Sequence, residues 1–329
     1  MKFLTKINSL TRSLRASVSG GKIALAVRLQ LTDRCNLRCR YCNLWKNPKP
    51  DLKTEVVLAL LKELKDAGTK RISLSGGEPL LRDDIKLIID QAKDLGISVS
   101  MNSNGYLVPE RVSEIKNLDL LKLSLDGPKE IHDSVRQKKG LFDQLMKSVR
   151  IAQKNGIKIS FACTITKYNI EHLEYLVDLA RSLNTFVAFQ PLKLNVKHAL
   201  DLKNIYPEKN VYHDKIKRLI SLKYGCSSKH IRNSIAMLDH IYRWPNYEQL
   251  KCAAGHLFCI IDSDGTVLPC DRISYNENLP NIANTSFKEA FKLLPPVVCN
   301  GCGFCGSLEL SFLLRHKWLI LKTIQKVIK

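Results

Sequence analysis

The chain is organised around Thr32-Asp-Arg-Cys-Asn-Leu-Arg-Cys-Arg-Tyr-Cys42, in which cysteines stand at positions 35, 39 and 42. An apolar run from Ala24 to Leu31 precedes this stretch, so we expect the cysteines to lie in a loop directly after a strand. Three thiolates so close together can bind three irons of a 4Fe–4S cluster and leave the fourth iron open to a substrate or cofactor. A structural zinc site is the alternative, but it needs four ligands, and residues 43–92 contain no cysteine or histidine.

Residues 24–190 alternate between strand-like and helix-like segments. Gly68, Gly96 and Gly156 each follow a helix-like segment and precede a strand-like one, as glycines at helix C-termini commonly do. The strand-like segments are apolar and β-branched, which favours a sheet covered by helices on both faces. The predicted strands are 24–32, 70–75, 97–102, 119–125, 157–165 and 185–190, and the predicted helices lie near 54–66, 82–95, 108–117, 141–154 and 170–183.

Six strand–helix units predict an α/β fold with a parallel sheet and right-handed crossovers. A closed barrel of this type has eight units, so six are too few to close one. The pattern leaves two architectures open, an open barrel and a doubly wound sheet. Residues 192–250 are basic and polar, and within them two helices are predicted near 209–223 and 228–242.

Three turn-like stretches follow predicted strands, where ligand groups converge in a βα fold. Ser75-Gly-Gly-Glu-Pro79 contains paired glycines that permit close backbone approach to a ligand, and Glu78 supplies an acceptor. Asn102-Ser-Asn-Gly105 and Ser124-Leu-Asp-Gly127 end the next two strands, and both stretches are equally compatible with ordinary turn chemistry. The guanidinium fork of Arg136 suits a cofactor carboxylate, and a surface role fits this residue equally well.

A second group of cysteines lies toward the C-terminus. Asp264-Gly265 stands between two β-prone runs and predicts a hairpin that brings the flanking cysteines toward a common site. Five thiols then compete for the four positions of a zinc site or a 4Fe–4S cluster, and the last of them is the candidate spare: Cys252, Cys270, Cys299, Cys302 and Cys305. The remaining cysteines are scattered and are expected to be small buried hydrophobes: Cys163, Cys226 and Cys259.

The spacing Cys35-x3-Cys39-x2-Cys42, with Tyr41 before the last cysteine, resembles the cluster motif of the radical S-adenosylmethionine (radical SAM) superfamily. The resemblance covers roughly residues 24–306. It implies a partial (βα)6 barrel similar to part of a TIM barrel, a 4Fe–4S cluster on the three cysteines, and S-adenosylmethionine at the open iron. The expected cofactor-binding residues are Tyr41, Gly76, Gly77, Glu78, Pro79, Asn102, Ser124, Asp126 and Arg136.

The resemblance also implies individual roles for some of these residues. In this family a Gly-Gly-Glu-Pro run contacts the methionine amino group of S-adenosylmethionine, and Gly76 to Pro79 match that run. Ser124 and Asp126 are expected near the ribose or methionine part, and Gln190 is expected to border the adenine. The distal cysteines resemble the SPASM and Twitch extensions, with fewer cysteines than a full SPASM ending, so we expect one auxiliary 4Fe–4S cluster.

The implied activity is one-electron cleavage of S-adenosylmethionine to methionine and a 5′-deoxyadenosyl radical, which abstracts a substrate hydrogen. A flavodoxin-like or ferredoxin-like protein would donate the electron, and no catalytic side chain is assigned. We expect a peptide or protein substrate, with a lipid, isoprenoid or other small molecule as the alternative. An iron–sulfur or zinc protein that only carries electrons or binds a partner is the non-enzyme alternative. Nucleic acid is not expected as a partner because the sequence has no recognisable recognition module, and RNA modification is the third enzyme alternative.

Charge and composition complete the prediction. The 329 residues carry a formal net charge of +21, and eleven cysteines indicate a reducing compartment, so we expect a cytoplasmic protein. Basic amphipathic helices are predicted at both ends, which leaves open a peripheral contact with the inner face of a membrane. The predicted divisions are a basic N-terminal segment 1–22, the barrel 23–191, a helical connection 192–250, a small cysteine-rich auxiliary-cluster domain 251–306 and a basic C-terminal helix 307–329.

Overall fold

The structure is a computed structural model that describes residues 22–192, 202–250, 252–271, 278–297 and 301–315. Six strands lie where the sequence predicts them, and each pairs in parallel with the next strand along the chain. The basic amphipathic helix predicted in segment 1–22 and most of the segment 307–329 lie outside the described residues. The six strands are β1 (Ala26–Gln30), β2 (Arg71–Ser75), β3 (Ser98–Ser103), β4 (Leu120–Ser124), β5 (Ile159–Ile165) and β6 (Val187–Pro191).

The connecting helices form where apolar residues recur at helical spacing. The first helix, α1 (Thr54–Asp66), buries Val57, Leu61 and Leu64 along one face. After α1, the φ of +92° at Gly68 gives the left-handed conformation expected of a glycine at a helix end. The other helices of the barrel are α2 (Ile85–Asp94), α3 (Val108–Arg111), α4 (Lys129–Arg136), α5 (Leu141–Lys154) and α6 (Leu173–Ser182).

Two of these helices differ from the prediction. The sequence pattern does not predict α4, because Ile131 and Val135 are the only aliphatic residues among its eight. The helix predicted at 108–117 is divided into α3 and a 3-10 turn, Val112–Ile115. Both differences concern short helices. In such short elements a few buried contacts decide the conformation more than the sequence pattern of apolar residues does.

The strand order decides between the two architectures that the sequence leaves open. From β1 to β6 the spatial order equals the chain order, so every crossover advances in the same direction and the helices share one face of the sheet. A doubly wound sheet would instead reverse its direction after the first strands. The fold is therefore a partial (βα)6 barrel, which confirms the predicted fold class.

The prediction that helices cover both faces of the sheet is wrong. In β2, Ile72 and Leu74 are buried in the main core, whereas Ser73 and Ser75 are only half-buried on the opposite face. The same alternation in the other strands gives the inside of the barrel a polar, partly accessible lining, which we call the lumen face. Its polar members are Arg28, Gln30, Ser73, Ser75, Ser100, Asn102, Lys122, Ser124, Thr164 and Gln190.

The C-terminal region continues the barrel sheet. Strand β7 (Phe258–Ile261) pairs in parallel with β1, and β8 (Val267–Leu268) pairs antiparallel with β7. This arrangement confirms the hairpin predicted at Asp264-Gly265. A short helix, α9 (Phe287–Lys292), then packs against α1. The auxiliary region is thus joined to the strand that leads into the cysteine loop.

The opposite edge of the sheet is covered by the segment between the two helices that follow the barrel, α7 (Lys209–Tyr224) and α8 (Ile235–Tyr242). The side-chain amide of Asn233 accepts from the backbone nitrogen of Phe189 at 2.8 Å and donates to its oxygen at 2.9 Å. This contact covers part of an edge that would otherwise be open. Helix α10 (Cys305–Arg315) packs against α8. None of the helices in the described part of the chain is long and apolar enough to cross a membrane.

Candidate cofactor and cluster sites

The loop after β1 carries the three cysteines of the central motif. Cys39 is buried, Cys35 and Cys42 are half-buried, and all three belong to a small apolar cluster around Leu37. Burial raises the pKa of Cys35 to about 12, and the negative charges of Glu78, Cys39 and Cys42 also raise it. The structure therefore brings the three predicted ligands together at the carboxyl end of β1.

The paired glycines after β2 hold the next turn against the cysteine loop. The backbone nitrogen of Gly77 donates to the oxygen of Thr32 at 2.8 Å, and that of Glu78 donates to the oxygen of Arg34 at 2.9 Å. A Cβ atom at Gly76 or Gly77 would lie 2.2 Å from one of these two oxygens. The close backbone approach predicted for the glycines is thus made to the cysteine loop itself.

Glu78 is fully buried and links the ends of β2 and β3. Its Oε1 accepts from Ser103 Oγ at 2.9 Å and from the backbone nitrogen of Leu80 at 3.2 Å, and its Oε2 accepts from the backbone nitrogen of Asn104 at 2.8 Å. Burial raises the pKa of Glu78 to about 7, although these hydrogen bonds lower it. Glu78 is therefore a structural link between two strand ends, and its contact with a methionine amino group stays a prediction.

The fully buried carboxylate of Asp126 joins the end of β4 to the cysteine loop. Its Oδ2 accepts from Arg136 Nε at 2.7 Å and from the Tyr41 hydroxyl at 3.1 Å, and its Oδ1 accepts from the backbone nitrogen of Thr164 at 3.2 Å. Arg136 also lies over the Tyr41 ring, 5.5 Å from its centroid, and its Nη1 is 3.9 Å from Cys39 Sγ. Three predicted cofactor residues therefore form one network around the cysteines.

The position of Arg136 corrects one alternative of the sequence interpretation. Its side chain is buried, so the alternative of a surface role is wrong. It forms an ion pair with Asp126, and its contact with a cofactor carboxylate stays a prediction. Burial lowers the pKa of Arg136, but the negative charge and hydrogen bond of Asp126 raise it well above its usual value.

The other predicted residues lie on the lumen face. Nδ2 of Asn102 donates to Ser73 Oγ at 3.2 Å and to the backbone oxygen of Leu74 at 3.4 Å. Ser124 and Gln190 are half-buried near the carboxyl ends of β4 and β6. These positions keep all three side chains beside the open interior of the barrel, where their predicted contacts with S-adenosylmethionine are untested.

The distal cysteines divide into two places. Cys252, Cys270 and Cys302 belong to one apolar cluster with Phe304 beside the start of β1. Cys305 lies elsewhere, with its Sγ 3.1 Å from the backbone oxygen of Phe189 in β6. Cys299 is outside the described residues.

The scattered cysteines follow the prediction in two cases of three. Cys163 and Cys259 are fully buried in the main core, and burial raises the pKa of both thiols. Cys226 is exposed, so the expectation that it is a small buried hydrophobe is wrong. It follows α7 at a glycine-containing turn, where no core is available to cover it.

Residues 29–180 match the sequence profile of the Radical SAM superfamily. This match begins in β1 and ends in α6, so it contains the cysteine loop, the Gly76–Pro79 turn and the Asp126 network. The chain carries a radical SAM domain over residues 29–180. It is accordingly an enzyme, and the alternative of a mere electron carrier or zinc-binding protein is wrong.

Curated relatives of this radical SAM enzyme align over most of its length. An AdoMet-dependent heme synthase from Nitratidesulfovibrio vulgaris is 24% identical over 303 residues, which cover 84% of this chain and 81% of that protein. A GTP 3′,8-cyclase from Aliarcobacter butzleri is 29% identical over 300 residues, which cover 83% of this chain and 88% of that protein. The two relatives have different activities, so similarity at this level leaves the substrate open.

Solved structures share the fold. SuiB from Streptococcus suis, bound to S-adenosylmethionine, superimposes with a TM-score of 0.66 at 18% identity. The alignment covers 82% of this chain and 66% of SuiB, so the chain spans slightly less than two thirds of that protein. Native anSMEcpe with bound AdoMet and Cp18Cys peptide gives a TM-score of 0.62 at 21% identity, with 81% of this chain and 80% of that chain covered.

The residues of this radical SAM enzyme fit its two cofactors, a 4Fe–4S cluster and S-adenosylmethionine. Cys35, Cys39 and Cys42 share one small apolar cluster, and each thiolate of a 4Fe–4S cluster binds a different iron, so the three need not converge on a single ion. Metal coordination deprotonates a thiol outright, which overcomes the raised pKa of Cys35. Nδ2 of Asn36 and Oδ1 of Asn43 are buried beside the cysteines without a hydrogen-bond partner. Buried polar atoms are normally hydrogen-bonded, so these two are available to a polar group of a bound cofactor.

Sequence reasoning missed Lys122, which stands on the lumen face in the middle of β4. Its Nζ donates to Ser73 Oγ at 3.2 Å, across the intervening strand β3. Burial, together with the positive charges of Arg71 and Arg232, lowers the pKa of Lys122 to about 8. Alternation of apolar and polar residues along β4 is the pattern that would have placed this lysine on the inner face.

Proposed function

We propose that this radical SAM enzyme abstracts a hydrogen atom from a substrate that occupies the lumen of its partial barrel. The observation that carries the proposal is the polar, partly accessible lumen face directly below the cysteine loop. Gln30 and Ser75 stand on that face at the ends of β1 and β2, next to the loop and the Gly76–Pro79 turn. When bound, the cluster and S-adenosylmethionine supply the hydrogen-abstracting 5′-deoxyadenosyl radical.

The side chains around the site would position the cofactors and keep water away from them. The Asp126–Arg136 pair would fix the distance between the cysteine loop and the end of β4. The guanidinium of Arg136 would also offset negative charge near Cys39. Glu78 would keep the ends of β2 and β3 together and thereby hold the turn that supports the loop. Each of these groups acts through the cofactor geometry and none needs to exchange a proton with the substrate.

We favour a small molecule as the substrate. The two relatives that align over more than four fifths of their length are named a heme synthase and a GTP cyclase, and both names refer to small molecules. The peptide substrate expected from the sequence is the second candidate, because a net charge of +21 suits an acidic peptide. Lipid modification depends on the terminal segments and stays a prediction.

We also propose that Cys252, Cys270 and Cys302 bind an auxiliary 4Fe–4S cluster together with Cys299. The first three share one apolar cluster, and the fourth follows from the count of four ligands. Cys305 would not be a ligand because its sulfur lies against β6. Zinc is the alternative metal for the same four thiols.

The test is anaerobic reconstitution with iron and sulfide, followed by S-adenosylmethionine and either dithionite or a flavodoxin-like or ferredoxin-like donor. The wild-type protein is expected to form 5′-deoxyadenosine, and the variant with Cys35, Cys39 and Cys42 all replaced by alanine is expected to form none. Cys226→Ala is the matched control because this cysteine is exposed and lies outside both sites. Formation of 5′-deoxyadenosine by the triple variant would refute the assignment.

A second measurement separates the substrate classes. Cell extract is divided into a dialysable, protease-resistant fraction and a protease-sensitive fraction, and each is added to the reconstituted enzyme. A small-molecule substrate predicts that only the dialysable fraction accelerates 5′-deoxyadenosine formation. Acceleration by the protease-sensitive fraction alone would overturn our preference in favour of a peptide.

A further inference from the structure

Three cationic residues belong to strands β2 and β4 or to the segment beside β6. Lys122 lies half-buried in the middle of β4, Arg71 is the exposed first residue of β2, and Arg232 is exposed in the segment that follows the edge of β6. The backbone nitrogen of Arg232 donates to the oxygen of Val187 at 2.8 Å, which fixes this segment beside the first residue of β6. We call these three residues the cation cluster.

The sheet brings Lys122 and Arg71 to one place, because Arg71 precedes Ser73 by two residues on the same face of β2 and Ser73 Oγ accepts from Lys122 Nζ at 3.2 Å. The Arg232 guanidinium lies over the Phe186 ring, 5.1 Å from its centroid. The positive charges of Arg71 and Arg232 both lower the pKa of Lys122, and that of Arg232 lowers the pKa of Arg71 after the larger effect of burial. These arginines come from segments that are 161 positions apart in the sequence, so the fold itself creates this concentration of charge. Like charges gathered in a partly desolvated place raise the free energy of the folded state.

No acidic side chain in the described part of the chain forms an ion pair with the cation cluster. The other cation of the lumen face gives the contrast. Arg28 forms an ion pair with Asp271, and Asp271 and Asp262 both raise its pKa against the lowering effect of burial. Among the described residues, Arg28 is therefore paired with a carboxylate, whereas the members of the cation cluster are not.

The neighbours of Lys122 are polar groups that can hold an anion in place. Ser73 Oγ accepts from Lys122 Nζ and from Asn102 Nδ2, each at 3.2 Å, so its own hydroxyl hydrogen is directed elsewhere. Together these groups offer an ammonium, a hydroxyl and two guanidinium groups around one region. Charge-assisted hydrogen bonds of this kind are the strong ones in anion recognition.

We propose that Lys122, Arg71 and Arg232 bind a carboxylate or phosphate group of the substrate at the amino-terminal end of the lumen. This inference rests on the proposed function, in which the substrate occupies the lumen. Lys122 and Ser124 are two residues apart on the same face of β4, so roughly 7 Å along the strand separates Lys122 from Ser124, one of the residues expected to contact the cofactor. The substrate would thus be anchored by its charged end and react at the other.

The test is isothermal titration calorimetry of the reconstituted protein with bound S-adenosylmethionine, with inorganic phosphate in one arm and glutarate in the other. Saturable binding of at least one anion to the wild-type protein is expected, and the arm that binds identifies the group as phosphate or carboxylate. Lys122→Gln is expected to weaken that binding at least tenfold. Lys62→Gln is the matched control, because it removes the same charge from the exposed face of α1 and should leave the affinity unchanged.

Two outcomes would overturn the proposal. One is the absence of saturable binding of either anion, and the other is equal affinity in the Lys122→Gln and Lys62→Gln variants. Arg71→Gln and Arg232→Gln, at exposed positions, supply the second comparison if Lys122→Gln fails to fold, and both are expected to bind more weakly than the control. Formation of 5′-deoxyadenosine by the wild-type protein is recorded separately, so that failure of the proposed function is distinguished from failure of the anion site.

Discussion

Replacement of Gly77 by alanine is expected to separate the turn after β2 from the cysteine loop. The added Cβ would lie 2.2 Å from the backbone oxygen of Arg34 and 2.6 Å from its carbonyl carbon. Carbon atoms in ordinary contact are about 3.5–4.0 Å apart, so one of the two backbone segments must move by more than about 1 Å. No side-chain rotation can relieve an overlap between two backbones.

The expected loss of stability follows from the contacts that such a movement removes. It breaks the hydrogen bonds from Gly77 to Thr32 and from Glu78 to Arg34, which contribute roughly 0.5–1.5 kcal/mol each. Overpacking of the remaining contact adds about 1–3 kcal/mol. The free energy of unfolding should therefore fall by roughly 2–6 kcal/mol, a large share of the ~5–15 kcal/mol typical of a folded protein.

The assay is urea denaturation followed by circular dichroism, together with the iron content after anaerobic reconstitution. Gly225→Ala is the matched control, because its Cβ would meet nothing nearer than 3.7 Å and its φ is negative. We expect the control to change stability by less than about 0.5 kcal/mol and to retain its iron. A Gly77→Ala protein that matched the control in both measurements would refute the idea that this glycine exists to seat the cysteine loop.

Three further variants test other parts of the structure. Lys122→Met should raise the free energy of unfolding at pH 7 by up to roughly 3 kcal/mol in urea titrations, since a charged lysine whose pKa falls from 10.5 to about 8 destabilises the folded state. The gain should shrink from pH 8 to pH 10.5, because there the unfolded wild-type chain binds more protons than the folded one and wild-type stability rises. Asp126→Asn should cost about 3–5 kcal/mol by the same measurement, because it leaves the buried Arg136 without its carboxylate. Cys305→Ala should keep the wild-type iron content after reconstitution, whereas Cys270→Ala should lose one cluster.

Each of these variants has an outcome that would contradict its premise. A Lys122→Met protein less stable than wild type at pH 7 would mean that the lysine makes a stabilising contact. For Asp126→Asn the control is Asp143→Asn, which removes an exposed pair with Lys129 and should leave the unfolding midpoint unchanged. Equal effects of the two aspartate variants would argue against the buried network. Loss of iron from Cys305→Ala would make this cysteine a ligand.

The sequence predicts those features that depend on residues close together along the chain. The cysteine loop, the strand positions and the left-handed Gly68 follow from local spacing and from the needs of helix ends. The hairpin at Asp264-Gly265 follows from turn chemistry for the same reason. Each of these rests on contacts within a few residues, so that neighbouring side chains and backbone preferences are sufficient to predict them.

Features that depend on distant contacts escape such reasoning. The glycines at 76 and 77 indicate a close backbone approach, but only the fold identifies Thr32 and Arg34 as the groups approached. The alternation Ile72-Ser73-Leu74-Ser75 indicates one polar face of the sheet. The prediction of helices on both faces rests instead on the apolar content of the strands, which is why it is wrong. The charge around Lys122 could not be predicted at all, because Arg71 and Arg232 meet only after the barrel curves.

The pairing of β1 with β7 has a consequence for the order of events during synthesis. β7 begins more than two hundred residues after β1 ends, so a nascent chain that carries the whole cysteine loop still exposes the free edge of β1. Contacts this distant in sequence form slowly, and an unpaired parallel edge invites association with other chains. We therefore expect stable insertion of iron to follow release of residues 258–261 from the ribosome. We also expect truncation before them to yield an aggregation-prone protein, even though every predicted ligand of the first cluster is present.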